Sequence, residues 1–199
     1  MRKIIVQEFM TLDGVMQAPG GVEEDPSGGF KHGGWIAPYF TEGDAALKAI
    51  MPAWMQPMDI LLGRNTFKIW ESYWPAHAAQ WPGINEVTKY VLTATLEHSD
   101  WNNSVFLRQI EDVKKLKAQD GLAIKVHGSA RLTQALFAHD LVDELQLMIF
   151  PLILGQGKRL FAQNAVPAAY ELKENSVTAG GVIFARYVKC GAVKTGSLA

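Results

Sequence analysis

Short apolar runs alternate with helical segments along most of this chain, and that alternation restricts the fold more than any other feature. Residues 3–11 (KIIVQEFMT) are β-rich and mostly apolar, as a strand buried on both faces should be. Residues 59–63, 89–93, 104–107, 123–127 and 145–150 read as further short strands. Between them the pattern predicts helices. One is capped by Thr41, carries Glu42 and Asp44 in its first turn, and runs through Leu47, Ile50 and Met51 to about Pro52. A short helix contains Phe67 and Trp70, a polar amphipathic one spans 111–119, and another spans about 130–139. Strand, helix, strand in sequence implies parallel crossovers. Two later strands, 170–177 and 182–188, flank Gly180-Gly181, which predicts an antiparallel hairpin. The expected fold class is therefore α/β, a three-layer domain with a mixed, mostly parallel sheet and helices on both faces.

Composition narrows the function. At 199 residues, one domain is expected over 1–190, followed by a loose tail over 191–199. Hydrophobic residues make up 48% and charged residues 20%, which excludes a disordered or collagen-like chain. Nineteen Lys and Arg against 20 Asp and Glu give a net charge of −1, so no nucleic-acid partner is expected. No apolar run reaches the ~18 residues of a membrane span, so no membrane partner is expected. The N-terminal run is too short for a signal-peptide core, and the single Cys190 forms no internal disulfide; both fit a reducing cytoplasm. Residues 17–38 hold six glycines and three prolines, which reads as a long loop, functional or disordered. Its Phe30, Trp35 and Ile36 are too apolar for a solvated linker. Residues 75–86 read as another loop.

Two strand-to-helix turns share a design. Gly63-Arg64-Asn65-Thr66 and Gly128-Ser129-Ala130-Arg131 each follow an apolar run and open a helix. A helix N-terminus presents unpaired N–H groups and partial positive charge, which suits phosphate. Glycine lets the backbone approach a ligand closely, and Arg64 and Arg131 add guanidinium forks. Two such turns on neighbouring strands would form a diphosphate cradle; taken singly, each also reads as an ordinary structural turn. The usual fingerprints are missing. Gly155-Gln156-Gly157 has Leu160 where a third glycine belongs, and no Walker motif occurs. With G-x-S-x-G also absent, Ser129 reads as a turn residue or phosphate donor rather than a nucleophile. His32, His77, His98, His127 and His139 show no metal-ligand spacing, so no metal is expected.

The ordered set Thr11-Leu12-Asp13-Gly14, Leu61-Leu62-Gly63-Arg64-Asn65-Thr66-Phe67, Lys89-Tyr90-Val91-Leu92-Thr93, Val126-His127-Gly128-Ser129, and Leu141-Val142-Asp143-Glu144-Leu145 with Pro151-Leu152-Ile153-Leu154-Gly155-Gln156-Gly157 resembles the dihydrofolate-reductase-like family. The resemblance is closest to stand-alone relatives of the reductase domain of riboflavin-biosynthesis deaminase-reductases, and it covers about residues 1–190. It implies the three-layer dihydrofolate-reductase-like fold and an NADPH site. By that resemblance Gly63, Arg64, Asn65 and Thr66 hold cofactor phosphates, with Arg64 at the 2′-phosphate. Leu92 and Thr93 lie near adenosine, and Gly128, Ser129, Arg131 and Leu132 wrap the diphosphate. Asp13, Gly14 and Val15 flank the nicotinamide. The implied activity is hydride transfer to a C=N or C=O carbon of a small heterocycle of pterin or ribosylaminopyrimidine type, by a cytoplasmic homodimer. The chain carries no zinc-deaminase motif.

An acid or a water must deliver the proton, and Asp13 and Asp44 are the candidates. Asp44 reads equally as helix N-terminal charge. Trp35, Tyr39, Trp54, Trp70, Tyr73 and Trp74 crowd one stretch; Trp35 and Tyr39 are candidates for stacking on the substrate, with core packing the alternative. Lys158 and Arg159 read as substrate-phosphate ligands or solvated turn charges. The alternative function is a non-catalytic nucleotide- or flavin-binding module on the same fold.

Overall fold

The apolar run at the N-terminus forms β1 (Ile4–Thr11), and all but one of its residues are buried. That explains why the run lacks the alternation of a half-exposed strand. The computed structural model describes every residue except 162, 164 and 199. The chain continues through α1 (Ala45–Trp54), β2 (Asp59–Gly63), α2 (Arg64–His77), β3 (Lys89–Leu92), β4 (Ser104–Leu107) and α3 (Ile110–Ala118). Then follow β5 (Ile124–Val126), α4 (Ala130–Ala138), β6 (Glu144–Phe150), β7 (Ala169–Val177) and β8 (Ile183–Gly191). The eight strands form one sheet in the order β4-β3-β2-β5-β1-β6-β8-β7. β8 pairs antiparallel with both β6 and β7, and every other pairing is parallel. The α/β class and the antiparallel C-terminal strands are as the sequence predicts.

Strand alternation sorts the helices onto two faces. Ile4, Val6 and Met10 of β1 pack with Val113 and Leu116 of α3 and Leu132 and Leu136 of α4. Phe9 points the other way, to Ile50 and Trp54 of α1 and to Met148 and Phe150. On that same side Ile60, Leu62 and Val91 bury Phe67 of α2. Thus α1 and α2 cover one face and α3 and α4 the other, which makes the three layers.

Three local expectations need correction. The cap of α1 is Asp44, not Thr41: its carboxylate accepts from the N–H groups of Ala46 and Leu47 at 2.9 and 3.1 Å. Pro52 sits near the end of α1, in its last turn, as expected. The helix after Gly63 is not short. It runs fourteen residues and passes Pro75 into the stretch read as a loop. Packing explains the extension, because Trp70 and Trp74 sit one turn apart and both meet Trp81 edge-on at 5.6 and 5.3 Å. β8 also continues to Gly191, paired with Ala169, so the tail begins one residue later.

The 17–38 segment carries only two short 3-10 turns, yet it is pinned throughout. Trp35 donates to the Gln17 carbonyl at 2.8 Å, and Gln17 donates to the carbonyls of Asp25 and Ser27. A Cβ on Gly33 would lie 2.2 Å from the Val22 carbonyl oxygen, so only glycine fits this crossing. No helix among the described residues is long and apolar enough to cross a membrane.

Candidate functional site

β2 and β5 are parallel neighbours, with Leu61 opposite Val126. Their following helices leave on opposite faces, α2 on one and α4 on the other. The helices therefore diverge outside the carboxyl ends of these two strands, which is the crevice position at which open α/β sheets bind ligands. The two glycine turns meet there. Gly63 N–H donates to Ser129 Oγ at 2.8 Å, and Ser129 N–H donates to Thr66 Oγ1 at 2.9 Å. Gly128 and Ser129 both adopt left-handed backbone, with φ of 56° and 60°. A Cβ on Gly128 would stand 3.0 Å from Thr66 Cγ2. Because the Ser129 hydroxyl is turned to Gly63, it does not cap its own helix; neither α2 nor α4 has a side-chain cap. Their first-turn N–H groups thus face the crevice side by side. Arg64 and Arg131 are exposed, and neither forms an ion pair among the described residues.

The other cofactor candidates lie along the same edge. Leu92 ends β3, the strand beyond β2, and Thr93 follows it. Thr93 is buried, and its hydroxyl accepts the N–H groups of Thr95 and Leu96, so it serves its own turn. Asp13, Gly14 and Val15 follow β1, on the other side of β5. Gly14 turns with φ of 79°, and Val15 is fully buried and bridges to Arg159. Uncapped helix starts, a glycine cradle and unpaired guanidinium groups fit a ligand with a diphosphate and a further phosphate.

Asp13 and Asp44 do structural work. Asp13 accepts from the Thr11 hydroxyl and the Gly155 N–H at 2.5 and 2.9 Å, and pairs with Arg159 at 3.3 Å. Burial pulls its pKa up, but the Thr11, Gly155 and Leu154 donors outweigh that and hold it below the usual value. Asp44 accepts from Leu47, Ala46 and the Ala179 N–H, tying α1 to the β7–β8 turn. The Leu47 N–H leads in lowering its pKa, with Ala179 and Ala46 adding to it. Both are ionised acceptors. Trp35 is buried edge-on to Phe150 at 5.2 Å, and Tyr39 meets the same ring at 5.5 Å, so both belong to the aromatic packing around β6. Lys158 and Arg159 remain solvent-exposed, but each is ion-paired. Lys158 pairs with Asp25 at 2.5 Å, and Arg159 pairs with Asp13.

Two titratable side chains beside the Gly128 turn escape motif reading. Glu8 is 5% exposed and its Oε1 has no hydrogen-bond partner. Burial pushes its pKa well above the ordinary value; the Gly128 N–H opposes this and the Glu24 charge adds to it. The available signal was a carboxyl amid an apolar strand, Val6-Gln7-Glu8-Phe9. His127, 7% exposed, stands between the rings of Trp70 and Trp81, with centroids 5.4 and 5.3 Å away. Burial drives its pKa down to about 3, Lys125 adding and the Gln7 carbonyl opposing. Its neutral ring leaves Nε2 unpartnered. No group of three or more His, Cys, Asp or Glu among the described residues is placed to hold a metal.

Comparison with known proteins agrees with this fold. Residues 2–184 match the family model for the RibD C-terminal domain. The chain is 30% identical over 172 residues to the uncharacterised protein YyaP of Bacillus subtilis strain 168, covering 80% of each. A Shewanella sp. PV-4 protein provisionally assigned to riboflavin biosynthesis superposes with a TM-score of 0.63 at 18% identity, over 94% of this chain and 99% of that one. A pyrimidine reductase-like protein from Corynebacterium diphtheriae superposes with a TM-score of 0.55 at 15% identity, over 95% and 92%.

Proposed function

The chain belongs to the RibD C-terminal domain family, and from that premise we propose that it is an NADPH-dependent reductase of a small heterocycle. The observation that carries this reading is the clasped pair of uncapped helix starts, with Arg64 and Arg131 free beside them. The turns of Gly63 to Thr66 and of Gly128 to Leu132 hold the diphosphate through the first-turn amides that the clasp through Ser129 leaves free, and Arg64 takes the 2′-phosphate. Leu92 and Thr93 line the adenosine side, and Asp13, Gly14 and Val15 wall the nicotinamide side. Reduced nicotinamide supplies the hydride for a C=N or C=O carbon. The chain supplies position and charge. Asp13 and Asp44 accept backbone donors, so the balancing proton is assigned to solvent. The substrate class, pterin or ribosylaminopyrimidine, is a flat ring that the partly exposed Tyr39 can stack on. The proposed assembly is a homodimer, to be checked by light scattering.

Titration of tryptophan fluorescence with NADPH tests the reading. Arg64→Ala weakens NADPH by ~10-fold and NADH by much less, since a guanidinium–phosphate pair is a strong charge-assisted contact. Absence of binding at millimolar NADPH refutes it, and equal losses remove Arg64 from the 2′-phosphate. A second reading, a nucleotide- or flavin-binding module without turnover, is favoured by the structural engagement of both aspartates. Loss of NADPH absorbance with a panel of pterins and pyrimidines excludes it; yellow protein without turnover supports it.

A further inference from the structure

Glu8 is a buried carboxyl that the reading above leaves without a task. An unpaired buried carboxyl oxygen is costly, so its retention needs a reason. Glu8 lies on β1, two residues beyond Val6, which is opposite Val126 of β5. That register brings it beside the Gly128 turn. The cofactor-binding turns stand along one sheet edge in the order β3, β2, β5, and β1 is the next strand. We propose that Glu8 grips the carboxamide of the nicotinamide ring and so fixes which ring face meets the substrate. This inference rests on the NADPH reading of the crevice.

The chemistry of the pair is complementary. Burial favours the protonated form of Glu8. A neutral carboxyl offers one O–H donor and one carbonyl acceptor side by side. A primary carboxamide offers the matching acceptor and donor. An ionised carboxylate offers acceptors only and forfeits one of the two bonds. Glu24, from the 17–38 segment, is the charged side chain that acts on Glu8, and it favours the protonated form. Lys125 of β5 points to the opposite face, where it donates to the Trp54 carbonyl at 2.8 Å. His127 also lies on that opposite face, among Trp70 and Trp81. Arg131 of α4 is exposed.

The test compares NADPH with 2′,5′-ADP, which keeps the adenylate phosphates and lacks the nicotinamide. Dissociation constants are measured for the wild type, Glu8→Ala and Glu8→Gln. Two lost hydrogen bonds predict roughly 10- to 30-fold weaker NADPH binding by Glu8→Ala. Binding of 2′,5′-ADP stays within about twofold, because the contacts of the adenylate half are untouched. Glu8→Gln keeps a donor and an acceptor without a titrating proton. Wild-type affinity for NADPH, relative to 2′,5′-ADP, therefore falls as pH rises through the titration of Glu8, and that of Glu8→Gln stays level. If the alanine variant does not fold, the pH profile of Glu8→Gln decides. Equal losses for both ligands, no loss for NADPH, or identical pH profiles overturn the assignment of Glu8. A wild type that binds neither ligand overturns the NADPH reading itself.

Discussion

The buried imidazole of His127 should make this protein lose stability in mild acid. Its folded pKa is near 3 and its unfolded value about 6.5. Between those values the unfolded chain binds more protons than the folded one, so stability falls as pH drops below 6.5. From pH 7 to pH 5 the loss from this one group is about 2 kcal/mol, and it approaches ~5 kcal/mol below pH 3. Glu8 acts in the opposite sense. Its folded pKa is raised, so the folded state binds the extra proton and acidification from neutral pH towards 4.5 is stabilising. The two slopes mask each other in the wild type, and the assay must separate them. Urea unfolding is measured at pH 7 and pH 5 for Glu8→Gln and for Glu8→Gln/His127→Phe. Phenylalanine suits the pocket of Trp70 and Trp81 and does not titrate. The single variant should lose about 2 kcal/mol more than the double variant on going to pH 5. Identical pH dependence in the two would refute a buried, neutral His127.

Gly128→Ala forces a side chain into left-handed backbone, 3.0 Å from Thr66 Cγ2. It should cost about 1–2 kcal/mol in urea unfolding and also weaken NADPH, by moving the Thr66 hydroxyl from the Ser129 N–H. Asp44→Ala removes the cap of α1 and the tie to Ala179, and should lower the thermal midpoint, with Asp44→Asn retaining most of it. Phe67→Ala empties a fully buried site and should cost about 3–5 kcal/mol by the same urea assay.

The alternation of strands and helices was legible because the central strands are apolar runs separated by helical patterns with polar positions. The glycine turns were legible for a similar local reason: Gly63 and Gly128 stand between an apolar run and a helical pattern. What escaped depends on distant residues. Thr41 and Asp44 are both sound caps, and the Ala179 N–H, 135 residues away, accompanies the choice of Asp44. Pro75 reads as a breaker, yet the contacts of Trp74 with Trp70 and Trp81 carry α2 past it. Lys158 and Arg159 looked like free charges, and their partners Asp25 and Asp13 come from the first loops of the chain. Glu8 gains its meaning only when β1 pairs with β5 and brings Gly128 alongside.

The most direct test of the crevice follows backbone amide resonances while oxidised NADP is added. The account predicts that the largest shifts fall on Gly63 to Thr66 and Gly128 to Leu132, the two turns that clasp through Ser129. Shifts confined to other parts of the chain, or none at millimolar ligand, would contradict it.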